Sequence, residues 1–88
     1  MSPAETDTPI AEAVLQHIVS SLVEDPDAVT IESVPGRRRD SVTLEVNVAP
    51  GDMGRVIGRR GRIAQSVRTV VRAAAAKDGV EADVDFVD

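Results

Sequence analysis

Apolar residues recur every three or four positions near the start of the chain, which predicts an amphipathic helix over Pro9–Val23. The repeat consists of Ile10, Ala11, Val14, Leu15, Ile18, Val19 and Leu22. Thr8 is placed to cap this helix and Pro9 suits its first turn. Pro26 ends it, because proline disfavours helical backbone in the residue before it. Residues 1–8 show no periodicity and are expected to form a flexible tail.

Three later segments alternate apolar and polar residues with a period of two, which predicts β-strands. They cover Val29–Val34, Val42–Val48 and Val80–Phe86. The alternation is cleanest in the second segment and indicates a strand with one buried and one wet face. A loop of turn residues and charge, Pro35 to Ser41, joins the first two segments, so an antiparallel hairpin is expected there.

Two helical segments lie between the second and third strands. A short one follows Ala49-Pro50-Gly51, and Asp52 falls in its first turn, where the helix dipole favours an acid. The buried side of the short helix is predicted to consist of Met53, Val56 and Ile57. A longer helix is predicted from Arg62 to about Lys77, with Gly79 as its C-cap. Its predicted buried face is Ile63, Val67, Val70, Val71 and Ala74, opposite Arg62, Gln65, Arg68 and Arg72.

This order of helix, strand, strand, short helix, helix and strand predicts an α+β fold. We expect a three-stranded sheet with three helices on one face. The chain has 88 residues, with no internal repeat and no linker, so residues 9–88 are predicted to form a single domain after the tail.

The composition argues against an enzyme and against a membrane protein. The only histidine, His17, falls on the flank of the first helix, and there is no cysteine and no metal-ligand spacing. We therefore expect no catalysis, no cofactor and no bound metal. No apolar run approaches the roughly 20 residues that cross a bilayer, and the N-terminus lacks the pattern of a signal peptide. A cytoplasmic protein without membrane contact is expected.

The charge is strongly segregated along the chain. Gly54–Lys77 contains seven of the ten basic residues and no acid, whereas the remainder contains all fifteen acids. An overall pI near 4.7 normally argues against a nucleic-acid partner. Exposed charges more than roughly 8 Å apart are largely screened at physiological salt, however, so the local basic patch decides what binds.

The centre of this basic segment is Gly58-Arg59-Arg60-Gly61, referred to below as the GxxG loop. The glycines by themselves allow a structural interpretation, with Gly58 as a left-handed helix cap and Gly61 permitting two helices to approach. A capping turn does not need two central arginines, however. Backbone N–H groups at the start of a helix form an anion site, and Arg59 and Arg60 are placed to reach phosphate oxygens there. The sequence therefore predicts a site for a sugar-phosphate chain.

The segment Val56-Ile57-Gly58-Arg59-Arg60-Gly61, lying between a short and a long helix, resembles the signature of KH domains. These domains clamp about four nucleotides of single-stranded nucleic acid with a G-x-x-G loop. The element order is similar to the bacterial, type II arrangement. Ala49 to Gly58, followed by Gly61-Arg62-Ile63-Ala64, resembles the small single-domain KH proteins of the KhpA type. The resemblance covers about residues 9–88.

The resemblance implies a non-catalytic, sequence-tolerant binder of single-stranded RNA. Its implied RNA-binding residues are Arg55, Ile57, Gly58, Arg59, Arg60, Gly61, Arg62, Ile63, Arg68 and Arg72. Ile57, Ile63 and Val67 fall where the family places groove or core aliphatics, and the sequence does not divide those roles. Leu44 and Val46 are candidates for the floor of the groove. Ala64 stands where many KH domains have a larger aliphatic residue, which leaves the base preference of the groove open.

The resemblance also implies partners and a cellular role. It implies self-association as a dimer and a complex with a larger KH-containing protein of the KhpB (Jag) type. It further implies an RNA-chaperone or post-transcriptional role linked to cell shape and cell wall organisation.

Three alternatives stay open at the level of sequence. The chain is also consistent with a protein-interaction module that has a KH fold and binds RNA only incidentally. Arg68 and Arg72 either extend the RNA surface or form a solvated helix face. Arg37-Arg38-Arg39 either joins the RNA surface or is a solvated hairpin tip, and the composition favours the tip.

Overall fold

The computed structural model describes residues 8–87 and confirms the predicted order of elements. Three helices and three strands alternate as α-β-β-α-α-β, which makes the fold α+β. They are α1 (Pro9–Leu22), β1 (Thr30–Pro35), β2 (Ser41–Asn47), α2 (Met53–Ile57), α3 (Arg62–Asp78) and β3 (Glu81–Phe86). Single 3-10 turns cover Pro26–Ala28, Pro50–Asp52 and Arg59–Gly61. Of the predicted tail, residues 1–7 lie outside the described range.

The three strands form one sheet in the order β1-β2-β3. β1 and β2 pair antiparallel, as the hairpin prediction requires, and β3 pairs with β2 in parallel. A parallel neighbour needs a crossover connection, and the segment containing α2 and α3 supplies it. Within residues 8–87 no strand pairs with the other edge of β3, which is called its free edge below.

All three helices cover one face of the sheet. Alternate β2 residues, Val42, Leu44 and Val46, are buried against them, and Ala82 and Val84 of β3 continue the same layer. The residues between them project to the opposite, wetter face. The largest fully buried side chains are Leu15, Val19, Leu44, Val46, Val56 and Val71. The core is therefore aliphatic, as the composition predicts.

The prediction of a buried Val70 was wrong, because this side chain is 46% exposed. The buried stripe of α3 consists of Ala64, Val67, Val71, Ala74 and Ala75. At 3.6 residues per turn these positions share one face, and Val70 falls about a quarter turn to its side. Small alanines form much of this stripe, so α3 lies close to its neighbours.

Two carboxylates connect segments that are distant in sequence. Asp78, at the end of α3, accepts hydrogen bonds from the backbone N–H groups of Ile10 (3.2 Å) and Ala11 (3.0 Å). Thr8 occupies the predicted N-cap position of α1, but its buried hydroxyl donates to Glu12 (2.8 Å) rather than accepting from the helix amides. The carboxylate of Asp78 therefore satisfies the amides that an N-cap side chain normally satisfies.

The second carboxylate is Asp52, which is buried immediately before α2. Its two oxygens accept the N–H groups of Glu24 and Asp25, each at 3.1 Å. The sequence predicted that Asp52 would interact with the dipole of the short helix. The structure places Asp52 at the N-cap position of α2, and its side chain also fixes the loop after α1 against the start of this helix.

Candidate nucleic-acid interface

Gly58 ends α2 and begins the GxxG loop. Its N–H donates to the carbonyl of Gly54 at 2.9 Å, and its backbone has φ of 75° and ψ of 175°. Residues with a Cβ essentially never adopt this region. A Cβ at this position would also lie 2.6 Å from Cγ1 of Ile63. Gly58 is therefore required both by its backbone conformation and by its contact with the first turn of α3.

Two of the other three loop residues are left-handed. Arg60 has φ of 56° and Gly61 has φ of 72°, and the Gly61 N–H closes the turn on the carbonyl of Gly58 at 3.2 Å. A Cβ on Gly61 would meet nothing within 4 Å. Gly61 thus does not permit a close helix–helix approach, which was one sequence-based interpretation. It leaves open space beside the first amides of α3.

The arginines at and directly after the loop are exposed to solvent. Arg59, Arg60 and Arg62 are exposed, and no carboxylate among residues 8–87 lies within salt-bridge distance of them. Arg55, also a predicted site residue, is different. Its guanidinium lies 3.3 Å from Asp52 and 3.3 Å from Glu24, so its charge is partly compensated.

The aliphatic candidates divide into core and flank. Ile57 and Ile63 are half-buried on either side of the loop. Val67 is buried in the core, and Leu44 and Val46 have no exposed surface at all. Leu44 and Val46 therefore do not floor an accessible groove, because both belong to the helix-facing row of the central strand. Ala64, whose small size left the base preference open, is buried as well.

A second basic region lies further along α3, in an open cleft of about 1050 Å³ that is lined by α3, by β3 and by the first residues of β2. This α3–β3 cleft is lined on the helix side by Gln65, Arg68, Arg72 and Ala76. The strand side carries the acidic residues Glu81, Asp83 and Asp85, and the far end carries Arg37 and Arg38.

The arginines of the cleft are held by the protein itself. Nε of Arg68 donates to the carbonyl of Val84 at 3.1 Å on the free edge of β3, and its guanidinium lies 5.8 Å from the ring centroid of Phe86. Arg72 bonds to Asp83 at 3.3 Å. The prediction that both arginines lie opposite the buried face was therefore inaccurate. They flank that face and lean over β3, because their positions are less than half a turn from the buried stripe.

Within the described part of the chain there is neither a candidate metal site nor a helix suited to spanning a membrane. No three His, Cys, Asp or Glu side chains among residues 8–87 are grouped so that they could hold a metal ion. His17 is exposed on α1, as predicted. None of the helices within residues 8–87 is long and apolar enough to cross a bilayer.

A mixed three-stranded sheet, covered on one face by helices of which two are joined by a GxxG loop, defines a KH domain. The family model described as KhpA/KhpB, KH domain matches residues 12–86. The chain therefore belongs to the KhpA/KhpB family of KH domains, which confirms the resemblance seen in the sequence. This family is one of nucleic-acid-binding domains and not of enzymes.

Several relatives are similar to most of the chain. The RNA-binding protein KhpA of Clostridium acetobutylicum is 47% identical over 73 residues, which cover 83% of this chain and 95% of that protein. The RNA-binding protein KhpA of Streptomyces coelicolor is 46% identical over 77 residues, which cover 88% of this chain and 94% of that protein. The RNA-binding protein KhpA of Caldanaerobacter subterraneus is 44% identical over 73 residues.

Proposed function

We propose that the protein is a non-catalytic binder of single-stranded RNA that holds the strand at the GxxG loop. The observation that carries this proposal is the pair of exposed arginines, Arg59 and Arg60, which have no acidic partner among residues 8–87 and lie on a turn that opens α3 beside the open space at Gly61. The first amides of a helix have no intrahelical acceptor and favour an anion. Guanidinium groups add charge-assisted hydrogen bonds to phosphate.

In this mechanism Gly58 and Gly61 shape a clamp for about four nucleotides, and Arg59 and Arg60 contact phosphates. Arg62 adds charge at the first position of α3. Ile57 and Ile63 provide half-buried apolar surface against which bases pack. Phe86 is the only aromatic residue of the chain, so base stacking on an aromatic platform contributes little. Recognition is therefore tolerant of sequence and dominated by the backbone of the RNA.

Membership of the KhpA/KhpB family supports the wider part of the proposal. The protein acts in the cytoplasm as an RNA chaperone or post-transcriptional regulator, forms a dimer, and works with a KhpB-type partner in control of cell shape and cell wall organisation. A single clamp gives modest affinity, and a dimer raises it through effective concentration. A light-scattering mass of one chain at micromolar concentration would count against the dimer.

The test of RNA binding is charge reversal in the loop. The double variant Arg59→Asp/Arg60→Asp is expected to abolish binding of a single-stranded RNA oligonucleotide in fluorescence anisotropy. Its melting temperature should stay close to that of the parent, because neither side chain makes a contact within residues 8–87 that stabilises the fold. The matched control Arg39→Asp/Lys77→Glu makes the same change in net charge away from the loop and should keep most of the affinity. Undiminished binding by the loop variant would show that the mechanism is wrong.

The alternative is a protein-interaction module, and the exposed side chains of Val70 (46%) and Ile10 (41%) favour it. A pull-down from lysate before and after nuclease treatment separates the two functions. Partners that are lost with the RNA support RNA binding. Partners retained at full yield by the Arg59→Asp/Arg60→Asp variant support the interaction module.

A further inference from the structure

We propose that the tip of the β1–β2 hairpin is a second phosphate-binding site on the same RNA strand. Arg37 and Arg38 would contact phosphates after the strand has left the GxxG loop and passed along the α3–β3 cleft. The footprint of the protein would then exceed the four nucleotides that one clamp holds. This inference rests on the proposed function, since it concerns the path of the RNA beyond the loop.

The placement of the tip is the first observation. The GxxG loop opens α3, and the hairpin tip lies at the other end of this helix, about 25 Å away for its 17 residues. Arg38 lies 3.6 Å from Glu81, the first residue of β3. Arg37 and Arg38 line the same cleft as Arg68 and Arg72, so basic side chains occur from one end of the cleft to the other.

The backbone of the tip is fixed without help from its arginine side chains. The Gly36 N–H donates to the carbonyl of Ser41 at 2.9 Å. The Ser41 hydroxyl accepts the Arg38 N–H at 3.2 Å and donates to the Arg38 carbonyl at 2.6 Å. The arginine side chains are therefore presented by a closed turn, which lowers the entropy cost of binding a ligand.

The charges of the cleft define a path for the strand. Glu81, Asp83 and Asp85 line the strand side and repel phosphate, whereas Arg68, Arg72, Arg37 and Arg38 line the helix side and the far end. The ion pair between Arg38 and Glu81 joins side chains that are 80% and 70% exposed, so it is a weak competitor. Arg39 is exposed next to these residues but does not line the α3–β3 cleft. It is a matched control in the same turn.

The experiment compares a tetranucleotide and an octanucleotide of single-stranded RNA by fluorescence anisotropy over a range of salt concentrations. Arg38→Gln and Arg37→Gln are each expected to weaken octanucleotide binding about threefold to fivefold and to reduce its salt slope by about 0.7. Neither change should alter tetranucleotide binding. Arg39→Gln should leave both affinities close to those of the parent. Glu81→Gln should strengthen octanucleotide binding, because it removes a competing carboxylate.

The outcomes separate this inference from the function on which it rests. If the loop variant Arg59→Asp/Arg60→Asp loses RNA while Arg37→Gln and Arg38→Gln bind both oligonucleotides like the parent, RNA binding stands and the second site is wrong. Equal losses in Arg38→Gln and Arg39→Gln would indicate unspecific attraction by the hairpin and would also overturn the site. If the parent protein binds neither oligonucleotide, both proposals fail.

Discussion

The arginines of the GxxG loop differ from Arg68 and Arg72 of the α3–β3 cleft in the bonds that they make to the rest of the protein. Arg59 and Arg60 project from a turn without a carboxylate partner among residues 8–87. Arg68 is bonded to a backbone carbonyl of β3, and Arg72 to a carboxylate. The loop therefore presents positive charge that is available to a ligand, whereas the charge of Arg68 and Arg72 is already used to attach α3 to β3.

This difference shows why a count of basic residues is an incomplete guide to a nucleic-acid surface. All four arginines belong to the same basic segment of the sequence. A phosphate at the loop gains its contacts without displacing a protein group. A phosphate at Arg68 must compete with the Val84 carbonyl at 3.1 Å. We expect substitutions of the loop arginines to affect mainly binding, and substitutions of Arg68 and Arg72 to affect both binding and stability.

The largest effect is expected for Gly58→Ala, which changes the backbone geometry of the loop and leaves its charge unchanged. The new methyl group must adopt φ near 75° and would lie 2.6 Å from Ile63. Strain and overpacking together should cost about 2–4 kcal/mol in the free energy of unfolding. The melting temperature should fall by more than about 10 °C, and RNA affinity should fall with it.

Gly61→Ala is the control for this change. Its φ of 72° is equally positive, but the space around it is empty. Left-handed strain alone should cost about 1–2 kcal/mol. Equal destabilisation by the two substitutions would mean that the contact between Gly58 and Ile63 does not govern the loop.

Comparing Arg68→Gln with Arg59→Gln distinguishes an arginine that is bonded within the protein from one that is available to RNA. Arg68→Gln removes a part-buried hydrogen bond to Val84 and should lower the free energy of unfolding by about 1 kcal/mol. Arg59→Gln should change it by less than about 0.5 kcal/mol. In RNA titrations the order should reverse, with the larger loss of affinity in Arg59→Gln. The same ranking in both measurements would remove the distinction between loop and cleft.

The smallest effects concern the backbone of the loop itself. Arg60 has a left-handed conformation that costs an L-residue about 1–2 kcal/mol, and glycine avoids this cost but loses about 0.5–1 kcal/mol through the entropy of the unfolded chain. Arg60→Gly should therefore stabilise the fold by roughly 0.5 kcal/mol. Arg59→Gly should destabilise it by about 0.5–1 kcal/mol. Both substitutions should weaken RNA binding. The free energy of unfolding, measured by chemical denaturation, should therefore change in opposite directions in the two variants, whereas the RNA affinity should fall in both.

Local patterns in the sequence predicted the elements of the fold because each element follows its own periodicity. The spacing of Ile10, Val14, Ile18 and Leu22 located α1 to within one residue, and the alternation in Val42–Val48 located β2 equally well. The glycines of the loop were also recognisable, because their positive φ angles have few substitutes.

The misplaced residues are those whose environment depends on contacts distant in sequence. Val70 is apolar and lies near the buried stripe, but no element of the described range 8–87 covers its side of α3 well enough to bury it. The sequence predicts that Arg68 and Arg72 lie on the solvent face of α3, and only the position of β3 shows that they lean over this strand. Leu44 and Val46 alternate correctly, yet only the packing of the helix layer shows that they are fully buried. No local sequence pattern indicates that β2 pairs in parallel with β3, so the contacts that depend on this pairing could not be predicted.

The cap that Asp78 provides to α1 also bears on the order in which the protein can fold during synthesis. The amides of Ile10 and Ala11 leave the ribosome 68 and 67 residues before the carboxylate that satisfies them. β3, the parallel partner of β2, is translated even later. A nascent chain therefore contains an uncapped first helix and an open edge on β2 until Asp78 and β3 have been made. The domain therefore cannot complete its fold before Asp78 and β3 have left the ribosome, and shorter nascent chains expose surfaces that proteases and chaperones recognise.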